Sequence, residues 1–277
     1  MPSTSFRLAV LAAILAGFAS AAGLAVPGLY RDAPNWVQQA QGTDIATLLL
    51  AVPLTAVGLW SAARGAAAGG LAVVAGLLYL VYNYAIFAFA VAMNPLTLVH
   101  IAIFGLCLWS LLVGGREVVD AGASTADHLH RRTSAGLLVV VAVMFGLLWV
   151  SQIARTGATG ALPADVAKAG MATNPVYALD LGFFLPLCMV AGVALARRTA
   201  IRGVAFSMLI WASLMGAGVV GGFAMMAAAG DADAVPIAVG VTILSIVSGM
   251  LAAAALLQRR GATDRALRGT SAARARG

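Results

Sequence analysis

Thr43–Arg64 reads TDIATLLLAVPLTAVGLWSAAR, and the chain writes a version of it again at Val176–Arg198, VYALDLGFFLPLCMVAGVALARR. Each is an apolar run with an aspartate in its first part, a proline at its centre and arginine at its end. With Pro53 laid on Pro186, Arg64 falls on Arg197, Val57 on Val190 and Gly70 on Gly203. Eight of the twenty-one positions in Pro53–Val73 are identical to those in Pro186–Phe206. An Ala- and Gly-rich chain yields some identities by chance, so the shared order of Asp, Pro and Arg is the stronger sign of a repeat.

Composition says what surrounds these runs. Of 277 residues, 62% are hydrophobic and only 10% charged, against roughly a quarter charged in a soluble domain. That much apolar surface needs lipid as its solvent. The net charge of +7 does not make a nucleic-acid surface, because the arginines sit between apolar runs and in the tail. Cys107 and Cys188 lie inside apolar runs and read as small buried hydrophobes. Sixteen Arg against one Lys, with abundant Ala and Gly, points to a GC-rich bacterial genome.

Eight runs reach the roughly 20 residues that span a bilayer: Leu8–Val26, Ile45–Ala63, Leu71–Met93, Pro95–Val113, Ala135–Ala154, Pro175–Ala196, Gly203–Ala229 and Val235–Leu257. Each is expected to be a helix, which satisfies its own backbone polar groups in lipid. Arg7, the first apolar run and Ala19-Ser20-Ala21 also fit a cleaved secretory signal. The counterpart of that run, Ala135–Ala154, cannot be a signal, which favours a retained first helix. With the N-terminus cytoplasmic, fourteen of the seventeen basic residues fall inside, and only Arg31, Arg155 and Lys168 fall outside. Both termini are then cytoplasmic in a multi-pass protein of the bacterial inner membrane.

Four helices per half bring both halves into the membrane from the same side. The expected fold is therefore all-α, eight transmembrane helices as two parallel four-helix pseudo-repeats, residues 1–113 and 135–257. Residues 114–134 form a cytoplasmic linker. Residues 258–277 form a basic tail that reads as disordered and drawn to anionic lipid headgroups. Pro27–Gly42 and Thr156–Asn174 are the longer outer loops, with Trp36 at headgroup level. Small residues recur every fourth position in several runs, for example Ser213, Ala217 and Gly221, or Ser245, Gly249 and Ala253. They let helix backbones approach within the bundle.

Asp180 stands about 7–8 Å inside its helix. A carboxylate within lipid is a functional-site candidate, with a structural hydrogen bond or ion pair as the alternative. Asp44, at the mouth of its run, also reads as an ordinary helix cap. His100 has no histidine partner for haem and is either a satisfied core residue or a proton carrier. Asn94-Pro95 and Asn174-Pro175 fit N-capping with proline in the first turn. Tyr79, Tyr82, Asn83 and Tyr84 form the densest polar patch within a run. Asn83, near mid-span, needs a partner or a cavity. Tyr177 joins Asp180, His100 and Gln152 near the outer face. Pro53 and Pro186 remove helical hydrogen bonds and crowd the carbonyls of Leu49 and Gly182. Interrupted helices at matching places point to a transporter-type site, with inherited kinks as the alternative. Asp127-His128-Leu129-His130 lacks further metal ligands and reads as a solvated loop. No nucleotide-binding glycine loop, HExxH or Gly-x-Ser-x-Gly is present.

The order Tyr82-Asn83-Tyr84 … Asn94-Pro95, with Gly28-Leu29-Tyr30 upstream, resembles a pattern in uncharacterised bacterial polytopic membrane proteins. It covers Gly28–Leu112 and implies no activity. The expectation is a membrane protein binding or carrying a small solute or lipid in an outward-open cavity between the repeats. Candidate lining residues are Asp180, His100, Asn83, Tyr79, Tyr82, Asp44 and Tyr177. The alternatives are a membrane-embedded lipid or quinone enzyme using Asp180 and His100 as acid and base, or a structural subunit of a membrane complex. The sequence identifies no particular cofactor.

Overall fold

A computed structural model describes residues 1–232 and 234–274. Its described residues form helices and no strand. Eight helices are long and apolar enough to cross a membrane: α1 Ser3–Ala25, α2 Pro34–Ala63, α3 Ala67–Phe89, α4 Thr97–Ala121, α5 Arg131–Thr159, α6 Pro175–Ala196, α7 Ala200–Ala228 and α8 Ala234–Arg274. They fit a multi-spanning membrane protein and match the eight apolar runs one for one. Successive spans alternate in direction. The connections after α2, α4 and α6 therefore share an arginine-rich face, and those after α1, α3, α5 and α7 share the opposite face.

Several helices outrun their apolar sequence. α2 starts at Pro34, so the second half of the supposed Pro27–Gly42 loop is helical. Proline suits the first turn, where its missing N–H costs nothing, and the glutamines that follow are good helix formers. Much of the 114–134 linker is helical too, because α4 continues to Ala121 and Ala123–Ala126 forms a further turn. α8 runs on through Arg274, where the sequence reads as a disordered tail from Gln258. An existing helix is extended cheaply by Ala, Leu and Arg, since nucleation is the costly step. Residues 275–277 of that tail lie outside the described residues.

Both prolines sit just past a π-helical turn. Thr47–Ala51 precedes Pro53 and Asp180–Phe184 precedes Pro186. The wider turn accommodates a ring that offers no N–H and crowds the carbonyl four residues back. The two helices also close alike. Gly65 N–H donates to Ala62 O and Ala66 N–H to Ser61 O, while Arg198 N–H donates to Leu195 O and Thr199 N–H to Ala194 O. Gly65 and Arg198 both have positive φ, 81° and 54°. Arg198 is the one non-glycine residue with positive φ among the described residues.

α3 and α7 form the centre, with 72% of each apolar stretch buried. Ser207 Oγ on α7 donates to Leu71 O on α3 at 2.8 Å. α2 crosses α7 glycine on glycine: a Cβ on Gly42 would overlap the Gly222 nitrogen. α1 and α4 are clasped by two serines, Ser5 and Ser110, each donating to the other's carbonyl at 2.8 Å. Ser245 Oγ on α8 donates to Ser213 O on α7 at 2.7 Å, with Gly216 and Gly249 alongside. The small-residue stripes thus serve packing inside the bundle, because lipid gives helices no hydrophobic reason to associate. α5 and α8 pack least, burying only 17% and 11% of their apolar stretches.

Candidate functional site

The loose packing of α5 and α8 leaves a cavity of about 1110 Å³ among α5, α6, α7 and α8. The start of α2, through Trp36 and Gln39, and Tyr82 of α3 complete its wall. Near the face opposite the arginine-rich one it is lined by Arg155, Asp165, Lys168 and Asp231. There the Lys168 ammonium meets Asp231 at 2.6 Å, tying the connection after α5 to that after α7. Asp165 accepts from Asn174 Nδ2 at 3.0 Å. Deeper, the walls are apolar and aromatic, with Phe145, Leu148, Trp211, Met215 and Phe223 among them.

Asp180 is the acid of this deeper part. It opens the π turn of α6, is 8% exposed, and accepts at Oδ2 from Trp149 Nε1 at 2.7 Å. The Tyr82 hydroxyl faces the same carboxylate. No described basic side chain forms an ion pair with it. Trp149 stacks on Tyr177 with ring centroids 4.8 Å apart, and Trp211 stacks on Phe184 at 5.0 Å. Tyr82 meets the Phe184 ring edge-on at 4.9 Å. Tyr177 and Phe184 thereby form a back layer that fixes the indoles. The indole N–H groups of Trp36 and Trp211 are buried without an acceptor.

A second cavity of about 120 Å³ lies between α2, α3 and α7 and shares Trp36, Gln39, Tyr82 and Met215 with the first. Asn83 lines it. Its amide donates to Tyr79 O at 2.9 Å and lies 3.6 Å from Met215 Sδ. Asn83 therefore both touches a cavity and links α3 to α7.

The remaining candidates sit elsewhere. Tyr79 is fully buried and lines neither cavity; its hydroxyl donates to Thr43 O at 3.2 Å and lies 3.1 Å from Thr47 Oγ1. Asp44 is no helix cap, because α2 begins ten residues before it. It is buried and accepts from the Tyr30 hydroxyl at 2.6 Å. Burial and the adjacent carboxylate raise the Tyr30 phenol well above its ordinary value, so it stays a donor. Gly23 of α1 gives this pair its room, since a Cβ there would collide with both side chains. Ser20 lies 3.3 Å from the Tyr84 hydroxyl, and the His100 ring packs against Tyr84 and Phe87.

Asp180 and His100 consequently belong to different clusters. Tyr82 faces α6 and α7, whereas Tyr84, two residues on and roughly 200° around the helix, faces α1 and α4. The expected single cavity between the halves, holding Asp180, His100, Asn83 and Tyr79 together, is replaced by a crevice mostly within α5–α8. Trp36, in the first turn of α2, is buried against this crevice. Sequence reasoning passed over Trp149, Trp211 and Phe145, since an aromatic in an apolar run reads equally well as core or lipid contact. The one available signal was the spacing of Phe145, Trp149 and Gln152, which puts them on one face of α5.

No family model, curated protein or solved structure matches the chain.

Proposed function

We propose that this membrane protein binds, and carries or presents, a small solute or lipid in the crevice among α5–α8. The observation that carries this is the crevice itself. It is an apolar space of about 1110 Å³ with a single carboxylate, Asp180, in its deeper part and charged residues at one end. Ligand sites have this form, concave and mostly apolar with a few placed polar groups. Bundle packing alone would have closed it, as it closes α1 on α4.

The proposal includes an architecture. Two parallel four-helix repeats are supported by π turns before both prolines and by the shared closure at Gly65 and Arg198. In the first unit the serine clasp seals α1 to α4; in the second the matching pair, α5 and α8, stands apart, and the crevice lies in that gap. The arginine-rich face is placed in the cytoplasm of a bacterium by the positive-inside bias, so the crevice opens outward. The positive charge of the sequence beyond Gln258 would then favour anionic headgroups.

Purification in a mild uncharged detergent, followed by mass spectrometry of retained small molecules, tests this reading. One compound should be retained at a fixed ratio to the chain. It should be lost in Val241→Trp, which fills the crevice from the loosely packed α8. Equal retention by that variant, or no retention by the unaltered protein, would contradict a ligand site here.

A further inference from the structure

Resting on that crevice, we propose its ligand class: an organic ammonium ion carrying an apolar chain. Three features of the deeper part select it.

The first is charge. Asp180 is nearly buried within a membrane-spanning helix and is met only by neutral donors, Trp149 Nε1 and the Tyr82 hydroxyl. A carboxylate in lipid calls for a proton or a cation. The basic residues that line the crevice, Arg155 and Lys168, lie toward its charged end, and Lys168 is engaged by Asp231. A ligand cation is the counter-ion that this arrangement lacks.

The second is the aromatic lining. Trp149, Trp211, Tyr82 and Phe145 surround the deeper part, the two indoles each backed on one face by a stacked ring. Cations bind over aromatic faces, tryptophan best, and desolvated sites strengthen the attraction. An anion would meet the negative faces of these rings and the Asp180 carboxylate together. A neutral apolar molecule would leave the carboxylate unanswered.

The third is the route and the room for the chain. α5 and α8 are the helices most open to lipid, and Leu148 and Ile237 line the crevice while remaining 42% and 47% exposed. An alkyl chain can leave the crevice between them into the bilayer while its ammonium stays by Asp180. Amphiphilic amines and the headgroups of amino-phospholipids share this chemistry.

The test uses the full chain in dodecyl maltoside, which is uncharged and has no ammonium. Hexyltrimethylammonium, hexyl sulfate and 1-hexanol are titrated by calorimetry. The ammonium should bind saturably and at least ten-fold more tightly than either partner of equal chain length. Asp180→Asn should abolish that preference, and Val241→Trp should weaken all binding. Dihexanoyl phosphatidylethanolamine is then added as competitor: displacement assigns the site to a lipid headgroup, and none assigns it to a free amine. Equal affinity for the three probes, or an unchanged preference in Asp180→Asn, overturns the ammonium proposal while leaving a ligand crevice in place. If no probe binds in a manner sensitive to Val241→Trp, the crevice reading itself falls. Should Asp180→Asn not fold, the three-probe comparison on the unaltered protein decides alone.

Discussion

Replacing Gly42 with alanine should unlock α2 from α7. A Cβ on Gly42 would overlap the backbone of Gly221 and Gly222. Reciprocally, a Cβ on Gly221 would stand 2.8 Å from Gly42 O, and one on Gly222 would stand 2.9 Å from Gln39 Cα. Carbon contacts are comfortable at about 3.5–4.0 Å, so the helices must part by roughly 1 Å or more. Overpacking costs about 1–3 kcal/mol. Here the obstacle is backbone, which has no other rotamer to adopt, so the loss should approach about 3 kcal/mol. Gly105→Ala is the control, because a Cβ there meets nothing within 4 Å and alanine is the better helix former. Titration with dodecyl sulfate in mixed micelles, followed by circular dichroism, gives both stabilities. If Gly42→Ala falls within about 0.5 kcal/mol of Gly105→Ala, the range of an ordinary surface change, α2 and α7 do not cross as described.

Three further outcomes follow from particular contacts. Tyr30→Phe leaves the buried Asp44 carboxylate with Ser20 as its remaining donor and should cost about 1–3 kcal/mol in the same titration, whereas Tyr30→Phe with Asp44→Leu should cost less than Tyr30→Phe alone; an unaffected Tyr30→Phe would mean that the 2.6 Å bond carries no weight. Arg198→Gly relieves a left-handed backbone that penalises any side chain by roughly 1–2 kcal/mol and should raise stability, and a loss would show that the arginine side chain matters more than its φ of 54°. The Arg202 guanidinium holds the Asp127 carboxyl below its ordinary 3.8, first through its hydrogen bond and then through its charge. The small contribution of this exposed pair is therefore present above that value and lost as pH falls through the lowered one; unfolding midpoints of Asp127→Asn and the unaltered chain should converge in acid and differ slightly at neutral pH.

The spans and their number were legible because hydropathy over about 20 residues is a direct reading of the solvent. Helix ends were less so: α2 begins in WVQQAQ, where helix propensity continues although apolarity stops, and that concealed the burial of Asp44. The paired prolines marked the right places. The wider π turns before them were not visible, since a proline fixes what is lost and leaves open how the backbone recovers. Of the candidate site, Asp180 and Tyr82 line the large crevice, and Asn83 lines its smaller neighbour. Tyr79, Asp44, Tyr177 and His100 line neither, because a sequence shows that a polar residue must face inward and not which cluster it joins. The crevice depends on α5 and α8 failing to close, and that is a property of helix pairs, not of any one run.

Reactivity of a single cysteine in the crevice tests the account most directly. Ala212 and Ala85 are almost equally buried, 7% and 3% exposed, yet only Ala212 lines the large crevice. With Cys107 and Cys188 replaced by alanine, Ala212→Cys and Ala85→Cys can be compared in the folded protein with a small membrane-permeant thiol reagent. Position 212 should react at least ten-fold faster, and hexyltrimethylammonium should slow it. Equal rates at the two positions would mean that α5–α8 close on themselves and that Asp180 faces no cavity.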